Sequence, residues 1–320
     1  MNKLIELICN SNHIAVTSHV DPDGDSIGSI LALGTALKQK NGNVEIFVND
    51  TLSNKYDFLP GYSLIKSYDA IQDKSFDLIF VLDCGDEHRL GSSVECLEKS
   101  KSVVNLDHHI SNNHFGDINI VDVNASSTCE IVYLLLSELN FRIDRAIATC
   151  IYTGIVTDSG NFVYDNATDR THLIASELLK YNIDKQEIMY NLYQRKSIHS
   201  LKFLGHCLSN MELELDNSLA IFTITASSLK EFMVPYSDVE GIVNYGRDIE
   251  TVKISVALRE DKDHKVKMSF RSKDDDVDVR ALAELFNGGG HKKAAGATIS
   301  TSLAEAKMLV IEKSKQFIRR

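Results

Sequence analysis

At 320 residues and 43% hydrophobic composition, the chain is long enough for two domains with separate cores. It contains no apolar run of membrane-spanning length and no signal-peptide layout at its start. A formal net charge of −11 argues against a partner bound along long stretches of nucleic-acid backbone, although residues 247–320 carry a balance of +4 and residues 1–246 one of −15.

The first half alternates short apolar runs with helical patterns, which predicts an α/β domain built on a parallel sheet. Strands are expected at 14–18, 44–48, 78–82 and 103–106, and helices at 27–39, 127–139, 144–157 and 169–180. Ser127 and Glu130 form a candidate capping box for the second of these helices. Residues 184–211 read as wholly helical, a connector to a smaller α+β domain. That domain has hairpin strands at 212–215 with 219–225 and at 252–258 with 265–271, then helices near 279–286 and 302–318. The run Asp274-Asp275-Asp276 reads as a solvated loop. The six cysteines (9, 84, 96, 129, 150 and 207) are scattered without a Cys-x-x-Cys pair, as expected of reduced packing residues in a cytoplasmic protein.

The chemistry is concentrated where strands end. His19, Asp21, Asp23 and Asp25 put one imidazole and three carboxylates into seven residues directly after the first strand. Carboxylates this close repel one another, and a cation relieves the cost. Asp23 and Asp25 are two apart, so in extended backbone they would point the same way; the simpler reading is an acidic turn capping a helix at Ser26. Asp83 follows the third strand, Asp107-His108-His109 the fourth, and Asp158 lies in Thr157-Asp158-Ser159-Gly160. Taken singly, these are a helix cap, a turn former and a surface histidine pair. In open α/β sheets, however, the ligand crevice lies at the carboxyl ends of the strands, so the clusters converge on one edge. Asp23, Asp25, Asp83 and Asp158 with His19 and His108 suit two divalent cations, with Asp83 the candidate bridge. Oxygen-rich coordination without thiolate favours manganese or magnesium over zinc, and the imidazoles favour manganese over magnesium.

These residues resemble those of the DHH phosphoesterases, a family named for the triplet present here as Asp107-His108-His109. The C-terminal part is similar to the DHH-associated domain through Ser269-Phe270-Arg271-Ser272 and the run from Asn287 through Gly288-Gly289-Gly290-His291-Lys292-Lys293 to Gly296. The resemblance implies a DHH catalytic domain over 1–185, a helical linker over 186–211 and a substrate-binding domain over 212–320. It implies that His19 and Asp23 bind one manganese, that Asp25, His108 and Asp158 bind the other, and that Asp83 bridges. It places His109 beside the scissile phosphate with Asp107 orienting the histidines. It further implies that Arg271, Ser272, Gly288, Gly289, Gly290 and His291 hold a terminal phosphate across a cleft. Read alone, the three glycines are a helix stop after Phe286.

The two-domain layout is similar to that of bacterial family members that degrade short RNA and dephosphorylate 3′-phosphoadenosine 5′-phosphate. The expected substrates are therefore short RNA oligonucleotides and nucleotide phosphates, cleaved by a two-metal exoribonuclease-type hydrolase, and the family implies a homodimer with no membrane attachment. Three other functions are alternatives: a phosphodiesterase for linear or cyclic dinucleotides (pApA, cyclic di-AMP), which would use the same site; an inorganic pyrophosphatase, whose family shares the N-terminal metal pattern but not the glycine-His run; and a non-catalytic RNA-binding protein, against which the full ligand set argues. Phe162 reads either as a base-stacking ring or as a core-edge aromatic.

Overall fold

The computed structural model describes residues 2–40, 42–49, 54–239, 241–261 and 265–318. The chain divides into two units, Met1–Arg195 and Lys196–Arg320.

In the first unit six strands run parallel: β1 (Ile14–Ser18), β2 (Val44–Val48), β3 (Ile65–Ser67), β4 (Leu78–Leu82), β5 (Val103–Asp107) and β6 (Ile118–Val121). Their spatial order is β3-β2-β1-β4-β5-β6. The order reverses between β1 and β4, the place where open α/β sheets open a ligand crevice. β1 and β4 are buried along their whole length, so both faces of the sheet must be covered. Period-two alternation sorts the side chains: Ile14, Val16, Leu78, Phe80 and Leu82 join one core, whereas Ala15, Ile79 and Val81 join the other. The larger core takes the apolar faces of α1 (Asn2–Asn10), α2 (Gly24–Lys40), α3 (Thr128–Glu138), α4 (Arg145–Asp158) and α5 (Asp169–Leu179).

The four expected strands are present, and two more flank them. β3 has three residues between 3-10 turns, and every residue of β6 is only half-buried, so neither carries an apolar run. The expected helices are also present; α5 starts at Asp169 as expected, and the other three have shifted starts. α2 begins at Gly24, three residues early, which overturns the extended reading of Asp23 and Asp25. Its cap is Asp23, not Ser26: Asp23 Oδ1 accepts from the Asp25 and Ser26 N–H groups, both at 3.0 Å. At α3, the Ser127 hydroxyl accepts from the Glu130 N–H as predicted, but the Glu130 carboxylate is fully buried and also holds Ser126, Thr171 and Arg170.

The unit boundary falls inside the stretch read as a connector. Lys185–Met189 and the π turn Tyr190–Gln194 lie in the first unit, while α6 (Ile198–Ser209) lies in the second, where Phe203 and Cys207 are core residues. The second unit contains a mixed sheet of β7 (Glu212–Glu214), β8 (Leu219–Ile224), β9 (Ile254–Glu260), β10 (Val266–Arg271), β11 (Gly289–His291) and β12 (Ala294–Ile299), in the order β11-β12-β10-β9-β8-β7. The helices α7 (Val279–Glu284) and α8 (Leu303–Ile318) pack on it through Val279, Leu282, Ala306 and Val310. Among the described residues, no helix is long and apolar enough to cross a membrane.

Candidate metal centre

Register alone brings the first three clusters together. Ser18 pairs with Leu82 and Leu82 with Leu106, so His19, Asp83 and Asp107 emerge side by side at the carboxyl edge. Continued alternation would send the Asp83 side chain toward the face of Ile79 and Val81. Instead Asp83 has φ 56°, in the left-handed region. Its carboxylate accepts from Ser26 Oγ at 2.6 Å through Oδ2 and from Thr128 Oγ1 at 3.2 Å through Oδ1. A non-glycine residue held there costs on the order of 1–3 kcal/mol, a strain typical of functional sites.

The two oxygens of Asp83 face different imidazoles. Oδ2 lies 3.5 Å from His19 Nε2, and Oδ1 lies 3.6 Å from His108 Nε2 and 3.8 Å from His109 Nδ1. His108 Nε2 is also 3.5 Å from Asp158 Oδ2, while its Nδ1 faces the Ala125 carbonyl at 3.3 Å. An imidazole anchored in this way by a carbonyl presents its other nitrogen to a metal. His19 is arranged likewise, with Nδ1 2.6 Å from the Val20 carbonyl.

Asp25 and Asp158 come from helix ends. Asp25, in the first turn of α2, accepts at 2.6 and 2.9 Å from the N–H groups of Thr128 and Cys129, so a carboxylate occupies the amino end of α3. Asp158 is the last residue of α4, at the end where the helix dipole disfavours an anion. The approach of the helices depends on glycine. A Cβ on Gly154 would lie 2.2 Å from Cys129 Sγ and 2.8 Å from Asp25 Oδ1, and one on Gly24 would lie 2.5 Å from the Thr157 side chain.

At this edge potential ligand atoms therefore gather in three groups, each within 4.8 Å: His19, Asp23 and Asp83; Asp25, His108 and Asp158; and Asp83, His108 and His109; a fourth group among the described residues, Asp86, Glu87 and His88, lies in the loop after β4. Two ligands bound to one divalent ion at about 2.1 Å stand roughly 3–3.5 Å apart, the spacing seen between these imidazoles and carboxylates. The electrostatics also call for cations. Burial, then the charges of neighbouring carboxylates, push Asp25 and Asp158 well above the usual carboxylate range. Asp83 is held below that range despite burial, by its hydrogen bond with His19 and the charges of the three histidines. The donor set thus fits divalent metal, with six of the predicted residues placed together.

Asp107 and His109 complete the edge. Asp107 is fully buried, its Oδ1 is 2.6 Å from His109 Nδ1, and its Oδ2 accepts from Asn112 at 2.6 Å. Burial opposes a charge on His109, but the Asp107 hydrogen bond and the Asp83 charge outweigh it and raise its pKa to about 9. Sequence reasoning missed Ser26, Thr128 and Asn112 as partners of these carboxylates. For Ser26 the signal was its place one residue after Asp25; Thr128 and Asn112 offered none.

The other predicted residues lie in the second unit. His291 pairs with Ala294 and Ala294 with Arg271, so His291, Ala294 and Arg271 form one row across β11, β12 and β10. Residues in one row point to the same face, and Ala294 leaves a gap between the imidazole and the guanidinium. The glycine run is not a free loop, because Gly289–His291 is an edge strand. Gly288 is required by packing, since a Cβ would meet the Gly296 carbonyl at 2.2 Å, and Gly290 by its φ of 140°. At Gly289 nothing lies within 4 Å. Ser272 is buried, and its Oγ accepts from the Asp274 N–H at 3.1 Å. Phe162, in the first unit, stacks on His172 at 5.0 Å and packs against the core.

The DHH family N-terminal domain matches residues 13–155, and the DHHA1 domain matches residues 218–320. A bifunctional oligoribonuclease and PAP phosphatase of Thermus thermophilus is 33% identical over 310 residues, covering 96% of this chain and 90% of that protein. The chain belongs to the DHH family of phosphoesterases. A bifunctional oligoribonuclease and PAP phosphatase of Bacillus subtilis is 29% identical over 302 residues, 93% of this chain and 92% of that one. Among solved structures, an exopolyphosphatase-related protein from Bacteroides fragilis superposes with a TM-score of 0.93 at 31% identity, over 100% of this chain and 97% of that one. In this DHH protein the triplet is thus Asp107 as anchor, His108 facing Asp83 and Asp158, and His109 bonded to Asp107.

Proposed function

We propose that this DHH protein is a manganese-dependent phosphoesterase that hydrolyses short oligoribonucleotides to mononucleotides and removes the 3′-phosphate of 3′-phosphoadenosine 5′-phosphate. The observation that carries the reading is the Asp83 carboxylate, with one oxygen facing His19 and the other facing His108. The substrates are those after which relatives matched over nine-tenths of their length are named. His19 and Asp23 would hold one ion, Asp25, His108 and Asp158 the other, and Asp83 both; magnesium is the second choice of metal. Such a pair of ions lowers the pKa of water toward neutrality and stabilises charge on phosphoryl oxygens.

The protein's own groups do the rest. Asp107 fixes the His109 ring and favours its protonated form, and His109 donates to the phosphate or to the departing oxygen. Cations bound nearby would bring its pKa down from about 9 toward working pH. Arg271 and His291 flank the gap at Ala294 and grip a terminal phosphate, which the open backbone at Gly289 can approach. A cytoplasmic homodimer is the expected setting.

The test is purified protein, loaded with manganese, offered 3′-phosphoadenosine 5′-phosphate, pApA, an RNA pentamer, cyclic di-AMP and pyrophosphate. Turnover of the first three, lost on chelation, is expected. Turnover confined to cyclic di-AMP or pyrophosphate would replace the substrate assignment, and RNA binding that persists under chelation without product would refute catalysis.

A further inference from the structure

β5 carries an asparagine inside an otherwise apolar run. Asn105 is fully buried and stands opposite Val81 of β4 in the strand register. A buried amide is costly unless its polar atoms find partners, and this one is fully used. Its Nδ2 donates to the Val81 carbonyl at 3.2 Å and to the Cys84 carbonyl at 3.0 Å, and its Oδ1 accepts from Asn112 Nδ2 at 2.8 Å. The two carbonyls lie on either side of Asp83, whose φ of 56° turns the chain between them.

The direction of every bond in this relay follows from its first link. Carbonyl oxygens only accept, so the Asn105 amide must face them with its nitrogen and face Asn112 with its oxygen. Asn112 must answer with its own nitrogen, which also donates to Asp107 Oδ2 at 2.6 Å, while its oxygen accepts from the His114 N–H at 2.7 Å. A donor thereby occupies Asp107 Oδ2, which leaves Oδ1 to accept from His109 Nδ1 at 2.6 Å. That nitrogen is also 3.8 Å from Asp83 Oδ1, so without the bond to Asp107 it could turn its lone pair toward an ion held by Asp83. The loop after β4 packs over the relay: a Cβ on Gly85 would lie 3.3 Å from Asp107 Oδ2, and the Gly85 carbonyl accepts from the Asn113 N–H at 2.9 Å.

We infer that Asn105 is a positioning residue that joins the two halves of the centre. Its amide nitrogen holds the turn that aims Asp83. Its amide oxygen, through Asn112, holds His109 as a donor to Asp107 and keeps that ring out of metal coordination. The inference rests on the metal centre proposed above and explains why this strand position needs a side chain that both donates and accepts.

Two variants separate the halves. Asn105→Asp keeps an oxygen for Asn112 but cannot donate to the carbonyls, so manganese affinity by calorimetry should fall about 10- to 100-fold. Asn112→Ala keeps the turn and cuts the link to Asp107. It should lower kcat on 3′-phosphoadenosine 5′-phosphate about 10- to 100-fold, with KM and manganese affinity within about threefold of wild type. If Asn105→Asp fails to fold, Asn105→Ala, smaller and uncharged, is read in the same way. The Nδ1–H proton of His109 supplies a signature that needs neither metal nor turnover. In metal-free protein labelled with 15N-histidine, and assigned by its absence from His109→Gln, it should lie downfield as a short hydrogen bond requires. In Asn112→Ala it should move upfield or be lost to exchange with water. An unchanged resonance there, or wild-type manganese affinity in the Asn105 variant, overturns the inference even where the assignment of catalysis has failed. Manganese affinity that falls as far in Asn112→Ala as in Asn105→Asp would make the relay a general support of the fold and overturn it too.

Discussion

Replacing Gly154 with alanine links the packing of the first unit to its chemistry. The new Cβ would stand 2.2 Å from Cys129 Sγ, 2.9 Å from Cys129 Cβ and 2.8 Å from Asp25 Oδ1. All of these neighbours are buried, so the helices must part. Overpacking of this kind costs about 3 kcal/mol, offset by about 1 kcal/mol of improved helix propensity, leaving roughly 2 kcal/mol of destabilisation. For a unit of 195 residues, that net cost lowers Tm by about 4–8 °C. Displacing Asp25 from the amides of Thr128 and Cys129 should also weaken manganese binding about tenfold or more, the usual effect of losing a ligand's supporting contacts. Adding Cys129→Ala removes the sulfur but leaves the contact with Asp25. The double variant should therefore recover Tm more than metal affinity. Differential scanning calorimetry on chelated protein and manganese titration by calorimetry measure the two effects. Wild-type Tm and wild-type affinity in Gly154→Ala would refute the view that this contact sets the position of Asp25.

Chelated protein should lose stability as pH rises from 5 to 8. Asp25 and Asp158 have folded pKa values above their unfolded ones, so the folded state holds more protons and each upward pH step costs stability. Saturating manganese should abolish that fall, and Asp158→Asn should flatten it in chelator; a Tm that rises over this range would contradict the assignment. His109, raised to about 9 from 6.5, contributes about 3 kcal/mol that is fully present below pH 6.5 and lost as pH passes 9. Its ring resonances in metal-free protein should titrate near 9, and in Asp107→Asn well below that. Arg170→Ala leaves the buried Glu130 carboxylate without its cation; discounted for the partial exposure of Arg170, the cost is about 2 kcal/mol. Glu130→Gln in that background should recover part of the lost Tm in thermal unfolding, and no recovery would place the cost elsewhere.

Much of the first unit was legible because its central strands are fully buried. Leu78–Leu82 is an uninterrupted apolar run and Ile14–Ser18 opens on one, and polar ligand-bearing residues follow directly after each. Their convergence at one edge followed from the parallel arrangement, and that alone assembled His19, Asp83 and the Asp107-His108-His109 triplet. Asp158 was harder to place, since its approach depends on Gly154 and Gly24 allowing helices closer than side chains permit. Asp23 was misread as strand-like because local spacing cannot tell a cap from an extended pair. Glu130 read only as a capping-box acid, and its burial among the distant partners Arg170 and Thr171 carries no local signal. The glycine run was read as a helix stop and not as a strand because β11 pairs with a strand of small residues, Ala294–Ile299, that has no apolar signature of its own.

Anomalous diffraction at the manganese edge, from crystals grown with manganese, tests the two-ion centre most directly. Two peaks per chain are predicted, one among His19, Asp23 and Asp83 and the other among Asp25, His108 and Asp158, both within bonding distance of Asp83. A single peak, or a pair that does not share Asp83, would contradict the account.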